Sequence, residues 1–288
     1  MKIGAVLRHT FLHLHGVGPR TEARFWREGV LTWEDALRHP LPWLAPWHRE
    51  LLRAELEESC RRLSLGDALH FQALLPAGER WRLLADFWGH VACLDIETTG
   101  LAWGFNVITV IGIYDGQEYR AFVRGHNLHL FPREVRRYRL IITYNGQRFD
   151  VPFIEAEMGP VLTGIAHLDL MYVLRRLGLR GGLKRVEVAT GMARPSALQG
   201  LSGYHAVLLW QMYRRGHRGA LDTLVRYNAE DVVGLLPLAA YAYNLMTAPL
   251  PLSVAPLPVP ERPELSLPYD PALVDWLLEG EEREEEVV

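Results

Sequence analysis

Three short runs of β-branched and aromatic residues follow one another in the middle of the chain before any helical pattern begins there. They span residues 90–97, 107–114 and 118–124, and Asp115-Gly116 between the second and third is typical of a tight hairpin turn. Beyond them, a helical stretch leads into alternating short strands and helices, at residues 132–139, 140–144 and 166–170. An antiparallel hairpin followed by α/β crossovers predicts an α/β fold, with a mixed sheet flanked by helices.

The composition divides the chain into three parts. Residues 1–88 are rich in Trp, Leu, Arg and Glu, which predicts a region of short amphipathic helices. Residues 89–247 hold the predicted sheet and a helical stretch from 201 to 246, in which Pro237 is expected to cause a kink. Residues 248–288 combine an acidic tail with a proline-rich segment, which is expected to be either an extended linker or a strap on the surface.

A glycine-rich turn near the N-terminus has two interpretations. The sequence of residues 16–23, together with Gly29-Val30-Leu31-Thr32, resembles a helix-hairpin-helix, whose glycine turn presents backbone N–H groups to a DNA phosphate. A helix that simply begins here, with Glu22 near its N-terminus, would have the same sequence. The sequence alone leaves both interpretations open.

The net charge of −3 conceals a weakly basic body, because residues 279–286 contain six Glu and one Arg. Arginines cluster elsewhere in a way that suits either phosphate binding or solvated helix faces. Cys60 and Cys93 show no metal-like spacing, which argues against a zinc site and a disulfide scaffold. Without an apolar run of about 18 residues, the sequence predicts a cytoplasmic protein with no membrane partner.

Two carboxylates end the first predicted strand. Because side chains alternate along a strand, Asp95 and Glu97 project from one face while Leu94 and Ile96 project from the other. Converging carboxylates repel each other, and a divalent cation relieves that repulsion. The pair therefore indicates a metal site, although a solvated strand end is the alternative for such a short motif.

A third carboxylate follows the strand at 140–144. Asp150 stands just before an apolar helical run with Pro152 two residues later, which is also the pattern of a helix N-cap. Functional residues of open α/β sheets gather where strands lead into the next loop, so Asp150 is expected to face Asp95 and Glu97. Both interpretations remain open.

A fourth carboxylate belongs to the C-terminal helical stretch. Tyr227 and Asp231 are four residues apart, so they lie one turn apart on one helix face. The same pattern predicts that Asn228 and Glu230 point away from the apolar stripe. A half-buried Tyr–Asp hydrogen bond is the structural alternative to a role in catalysis.

In this order, the motifs D-x-E, N-x-x-x-F-D and Y-x-x-x-D resemble those of DEDD 3′→5′ exonucleases, including polymerase proofreading domains. Tyrosine in the last motif resembles the DEDDy branch. The stretch from residue 90 to about 246 is more closely similar to the YprB-like family of ribonuclease H-like exonucleases. The resemblance implies a five-stranded ribonuclease H-like sheet and a hydrolase that acts on the 3′ end of single-stranded DNA or RNA.

The resemblance also implies roles for individual residues. Two Mg²⁺ or Mn²⁺ ions, about 4 Å apart, would be held by Asp95, Glu97, Asp150 and Asp231. Tyr227 would orient the attacking water, because a phenol is a poor base near neutral pH. Asn145 and Phe149 are expected to hold the terminal nucleotide, with core packing as the alternative for Phe149, and Lys184 and Arg185 are expected to contact phosphates.

Two other functions and one further residue complete the predictions. A catalytically inactive nucleic-acid-binding module would keep the fold without turnover, and a scaffold would bind partners through the proline-rich segment and the acidic tail. Asp169 is expected to cap the helix that follows it rather than to join the catalytic set.

Overall fold

The computed structural model describes residues 6–194 and 198–285, and its centre is one five-stranded sheet of order β3-β2-β1-β4-β5. The strands are β1 (Val91–Thr98), β2 (Ile108–Tyr114), β3 (Tyr119–Val123), β4 (Leu140–Thr143) and β5 (Ala166–Asp169). β1, β2 and β3 pair antiparallel, whereas β1 pairs with β4 and β4 with β5 in parallel. This arrangement confirms the predicted mixed sheet with three antiparallel strands first.

The hairpin between β2 and β3 forms where the sequence predicts it. Tyr114 is the register partner of Tyr119, and the turn between them contains Asp115 and Gly116. Gly116 has φ +92°, a left-handed conformation that glycine adopts without strain. The Asp115 carboxylate accepts hydrogen bonds from the backbone N–H groups of Gln117 and Glu118, so its side chain also stabilises the turn.

Helices surround the sheet and also make up the N-terminal region. They are α1 (Pro19–Arg27), α2 (Trp33–Arg38), α3 (Pro46–Ser64), α4 (Ala68–Leu74), α5 (Leu84–Phe87), α6 (Phe131–Glu134), α7 (Asp150–Met158), α8 (Leu170–Arg176), α9 (Leu183–Ala189), α10 (Gly203–Arg214), α11 (Arg218–Val233), α12 (Leu235–Thr247) and α13 (Pro271–Glu285). Short 3₁₀ helices lie at Val6–His9, Ala77–Leu83, Trp88–His90, Leu128–Leu130 and Val135–Arg137. None of the helices in the described part of the chain is long and apolar enough to span a bilayer.

Two details of the helices bear on the sequence-based expectations. The C-terminal helical stretch is interrupted at Gly234, three residues before Pro237. Proline cannot donate a hydrogen bond to the carbonyl four residues earlier, so the interruption lies where the predicted kink is expected. The second detail is α13, which covers much of the stretch that the sequence suggested as an acidic tail; its residues Leu273, Val274 and Leu277 are buried.

The N-terminal region shares its core with the sheet. Phe71, Trp33 and Trp81 are almost fully buried in one continuous apolar cluster that also contains Val91 of β1 and Tyr243 of α12. A second cluster covers the opposite side of the sheet, where α7 packs, and a third joins α10, α11 and α13. Three cores therefore hold the sheet and fix α11 against it.

The proline-rich segment between α12 and α13 runs without regular secondary structure. The Asn244 side chain holds it by bonding both the backbone N–H and the carbonyl of Leu257. Further along, the Arg226 guanidinium donates to the carbonyls of Leu265 and Leu267. Of the two alternatives for this segment, the structure therefore favours a strap bound to the surface over a free linker.

Candidate active site

The end of β1 presents two carboxylates to α11. Leu94 and Ile96 belong to the apolar cluster under α7, so the alternating side chains of Asp95 and Glu97 point to the other face. The β1–β2 register shifts between Glu97 and Thr98, directly after the second carboxylate. Regular pairing thus ends at the point where the acidic side chains leave the sheet.

α11 brings Asp231 to these two side chains. One carboxylate oxygen from each of Asp95, Glu97 and Asp231 lies within 4.8 Å of the others, and we call these three residues the carboxylate cluster. The predicted convergence of strand and helix carboxylates is therefore present for three of the four acids.

A glycine in β2 makes this close approach of α11 possible. Gly112 is the register partner of Asp95, and a Cβ atom on it would lie 2.0 Å from Asn228 Oδ1. Any larger residue would therefore push α11 away from the sheet. Glycine inside a strand was the sequence signal for this contact, and sequence analysis did not use it.

Asn228 is a site residue that sequence analysis missed. It was predicted to point away from the apolar stripe, but it is fully buried. Its Nδ2 donates to Asp95 Oδ2 at 3.0 Å, and its Oδ1 accepts from the Tyr119 hydroxyl at 2.9 Å. The prediction was wrong because Asn228 stands four residues after Leu224 and four before Val232, so it lies on the same face of α11 as these buried side chains. Glu230, also predicted to point away, is buried as well.

Asp150 stands at the start of α7 and contacts β1 from the side. Its Oδ1 accepts a hydrogen bond from the backbone N–H of Ile96, between the two β1 carboxylates, at 3.1 Å. The N-cap position of α7 belongs to Phe149, so capping does not account for Asp150. Burial raises the pKa of Asp150 to about 7, and the side chain therefore lies in a site that disfavours its charge.

Burial and mutual repulsion make the carboxylate cluster electrostatically unfavourable. Burial raises the pKa of Asp95 well above its ordinary value, and the charge of Asp150 raises it further. The pKa of Glu97 is raised by burial and then by the charge of Asp231. Buried oxygen ligands that repel one another are the donor set that a hard divalent cation satisfies, so the residues present fit a metal centre.

Tyr227 stands one turn before Asp231 and is almost completely buried. Lys184 Nζ, from α9, lies 3.3 Å from the Tyr227 hydroxyl and also bonds the carbonyl of Leu201. Burial raises the pKa of the Tyr227 phenol above its ordinary value, with the charge of Asp231 adding to it, and burial lowers the pKa of Lys184. The Tyr227 hydroxyl therefore stays protonated at neutral pH.

Two cavities open beside these residues. The larger, of about 540 Å³, borders the carboxylate cluster, and its other lining residues include Thr98, Thr99, Gly100, Leu101, Phe149, Tyr204, Val207 and Tyr227. A smaller one of about 250 Å³ reaches Asp95 and Asp231 from the other side, past Tyr144, Lys184 and Tyr227. Solvent and a ligand can therefore reach the cluster along two directions.

The predicted nucleotide-binding residues take different positions. Phe149 lines the larger cavity, while its ring also lies 4.9 Å from that of Phe153, so both proposed roles are compatible with its place. Asn145 occupies a left-handed turn with φ +66°, and its backbone N–H is bound by Asp169. Arg185 is exposed beside Lys184 and is not among the residues that line these two cavities.

Asp169 caps α8, as the sequence predicts, through a hydrogen bond from Met171 N–H. The same carboxylate also accepts from the backbone N–H groups of Asn145 and Gln147. It therefore holds the loop that leads to Asp150, without belonging to the carboxylate cluster.

Arg194 is a second residue that sequence analysis did not identify. It follows α9 and is buried, and its Nη1 lies 2.5 Å from Asp231 Oδ1. The charge of Asp231 helps to raise the pKa of this guanidinium, which is positively charged at any physiological pH. No local sequence pattern marks this arginine among the many others of the chain.

Comparison with protein families agrees with the observed fold. A model of the RNase H superfamily matches residues 92–243, which is more than half of the chain. Among solved structures, the chain is similar to the family B DNA polymerase from the hyperthermophilic archaeon Pyrobaculum calidifontis, with a TM-score of 0.40 and 17% identity over 54% of this chain and only 25% of the polymerase chain. No curated protein matches it. The chain belongs to the RNase H superfamily.

Proposed function

We propose that this protein is a two-metal-dependent 3′→5′ exonuclease that hydrolyses the ends of single-stranded nucleic acid. The observation that carries the proposal is the carboxylate cluster: β1 and α11, distant in sequence, bring three buried acids within 4.8 Å beside an open cavity. Membership of the RNase H superfamily supports a nuclease. The order of the motifs supports the DEDDy branch and the closer YprB-like family.

In this proposal Asp95, Glu97 and Asp231 are direct ligands, and Asp150 completes the set from the start of α7. Two Mg²⁺ or Mn²⁺ ions would supply the Lewis acidity that phosphodiester hydrolysis requires. Asn228 keeps Asp95 in a fixed orientation by its hydrogen bond of 3.0 Å. The Ile96 N–H does the same for Asp150, so the ligands are positioned before any cation or substrate binds.

Tyr227 is proposed to orient the attacking water. Because its pKa is raised by burial, the hydroxyl cannot serve as a base near neutral pH, but it can donate or accept a hydrogen bond. Lys184 Nζ lies within reach of that hydroxyl at 3.3 Å. We therefore assign Lys184 a part in fixing Tyr227 in addition to the predicted phosphate contact, which it would share with Arg185.

The walls of the larger cavity suit a single-stranded end. Phe149 and Leu101 supply apolar surface beside the carboxylates. Asn145 is not among the residues that line this cavity and stays a predicted polar contact. The loop that carries Leu101 also exposes Trp103 and Phe105, the latter with 93% of its surface accessible. Aromatic side chains of this kind stack on unpaired bases of any sequence.

We keep the predicted division into a helical region of residues 1–88, an exonuclease domain of 89–247 and a C-terminal part of 248–288. The helix-hairpin-helix interpretation also stays a prediction. Gly16 has a left-handed φ and Gly18 is the N-cap of α1, but the helix before this turn is one 3₁₀ turn at Val6–His9.

The deciding experiment is a time course on 5′-labelled single-stranded DNA and RNA, with Mg²⁺, Mn²⁺ or EDTA. We expect a descending ladder that needs a divalent ion and that a 3′-phosphate slows or blocks. Asp95→Asn should abolish the ladder, and Asp222→Asn, which changes an exposed aspartate of α11, should leave it intact.

Other results would favour the other functions. Internal cutting of a circular single strand would indicate an endonuclease. Tight binding of the strand with no product in any metal would indicate an inactive binding module. If the protein neither bound nor cleaved the strand, the scaffold would be the remaining function.

A further inference from the structure

Arg194 occupies an unusual place for a cation, inside the carboxylate cluster that is proposed to bind metal. Its Nη1 lies 2.5 Å from Asp231 Oδ1 and its Nη2 lies 2.6 Å from Glu187 Oε2. Only 3% of the Arg194 side chain is exposed. The guanidinium is therefore held between one acid of the cluster and one acid of α9 and is shielded from solvent.

The partner of Arg194 is held in turn by the proline-rich segment. Glu187 is buried, and its other oxygen, Oε1, lies 3.0 Å from Arg262 Nη1. Arg262 also reaches Glu230 of α11, with 3.0 Å between Nη2 and Oε2. A row of alternating charges thus runs from Asp231 through Arg194, Glu187 and Arg262 to Glu230.

Gly234, at the junction of α11 and α12, has no side chain and so leaves room for this row of charged residues. A Cβ atom at Gly234 would lie 2.5 Å from Glu187 Oε1 and 2.8 Å from Arg262 Nη1. Both contacts are shorter than van der Waals distance. A residue larger than glycine at the junction of α11 and α12 would therefore clash with these buried ion pairs.

We propose that Arg194 is a resident counter-cation that competes with the metal for Asp231. It neutralises part of the cluster when no metal is bound, and it opposes a divalent cation both by its charge and by occupying one oxygen of Asp231. Glu187 and Arg262 keep it in place, so the proline-rich segment helps to set the metal affinity of the site. This inference rests on the proposed role of Asp231 as a metal ligand.

The expected size of the effect follows from the charges. A guanidinium within a few ångströms of a divalent ion opposes its binding strongly at the effective dielectric constant of a protein site, so we expect Arg194→Gln to bind Mn²⁺ at least about tenfold more tightly. Arg194→Lys keeps the charge and should stay near the wild-type affinity.

The test is calorimetric titration of Mn²⁺ into the metal-free full-length protein. Arg194→Gln leaves Glu187 with one partner fewer, so the double variant Arg194→Gln/Glu187→Gln provides a second protein in which Glu187 is neutralised together with its lost partner. The matched control is Arg120→Gln, which removes a partly buried arginine of β3 that pairs with Asp115 and Glu134, away from the carboxylate cluster and the proline-rich segment. Asp95→Asn removes a proposed metal ligand and should lose most of the binding heat, which would show that the heat comes from the carboxylate cluster.

Tighter Mn²⁺ binding by both Arg194→Gln proteins, with Arg120→Gln unchanged, is the expected result. Equal or weaker binding by the folded double variant would overturn the role of Arg194 and leave the proposed nuclease site standing. If no protein in the series bound Mn²⁺, the metal site itself would be wrong, and the proposed function would fail together with this inference.

Discussion

Two groups of buried charges in this protein differ in their balance. In the N-terminal region, Arg82 donates to both oxygens of Glu22, at 2.9 and 3.1 Å, and Glu22 also accepts from the Phe11 N–H. In the carboxylate cluster, three acids meet beside Asp150, and Arg194 is the cation described above. Arg82 also pairs with Glu79, which pairs with Arg176, so the first group balances two acids with two arginines. The second group keeps an excess of negative charge.

This difference separates a structural role from a functional one. A buried ion pair with all its hydrogen bonds made can persist without any ligand, and its loss harms the fold. Burial raises the pKa of Glu22 as well, but Arg82 opposes that rise. In the carboxylate cluster the acids raise one another's pKa in addition to the effect of burial, which weakens the fold and is typical of a site that binds something. The comparison predicts opposite effects when an acid is neutralised in each group.

The largest expected effect is on activity, in the carboxylate cluster. Asp95→Asn removes a proposed metal ligand and should lower the nuclease rate by at least about 1,000-fold, on the order of 4 kcal/mol. The metal-free variant should unfold at the same or a higher temperature than the wild type, because a repelling charge is gone. A wild-type rate would refute the metal assignment, and a clearly lower midpoint would show that Asp95 is structural.

Neutralising Glu22 in the N-terminal group should instead lower the stability and leave the activity unchanged. Glu22→Gln leaves the buried Arg82 with Glu79 as its remaining acid partner and should lower the free energy of unfolding by about 3 kcal/mol, while the activity of each folded molecule stays unchanged. Urea denaturation measures the first quantity and an active-site titration the second. The double change Glu22→Leu/Arg82→Met should recover most of the loss, and no recovery would mean that the pair itself contributes little.

A smaller effect is expected at Tyr227, whose hydroxyl borders the cluster without belonging to it. Tyr227→Phe should keep Mn²⁺ affinity and lower kcat by about 10–100-fold, or about 1.4–2.7 kcal/mol. Single-turnover rates with calorimetric Mn²⁺ titration separate the two quantities. Tyr243→Phe, which changes a buried tyrosine of α12, is the control, and cleavage at the wild-type rate by Tyr227→Phe would make Tyr227 a packing residue.

A pH dependence is expected in the N-terminal region, and over any single pH unit it is the smallest of these effects. Burial lowers the pKa of His13 from 6.5 to about 3, so the unfolded chain binds a proton that the folded chain rejects. The stability from neutral His13 is complete above pH 6.5 and falls as the pH drops towards 3, by at most about 1.4 kcal/mol per pH unit.

Urea denaturation of the metal-free protein at several pH values in this window measures the slope. His13→Gln should flatten it, whereas the same change at the exposed His15 should not. Equal slopes in wild type and His13→Gln would assign the acid sensitivity to other groups.

Local patterns were enough to predict the sheet and part of the site. Alternation along β1 placed Asp95 and Glu97 on one face, and helical spacing placed Tyr227 and Asp231 on one face of α11, because both periodicities are properties of the backbone. Asp115 and Gly116 located the hairpin because the left-handed conformation of the turn suits glycine. That these faces meet was inferred from resemblance, and the structure brings three of the four acids together.

Only the tertiary structure decided which other side chains reach the cluster. Asn228 and Gly112 come together because α11 packs on β2, and Arg194 meets Asp231 because α9 and the proline-rich segment close around Glu187. Apart from the glycine within β2, no short-range pattern indicates these contacts, since their partners are far apart along the chain. The sequence determines which side chains share a face, because strands and helices have fixed periodicities. The charges and close contacts within the site depend on how those faces pack.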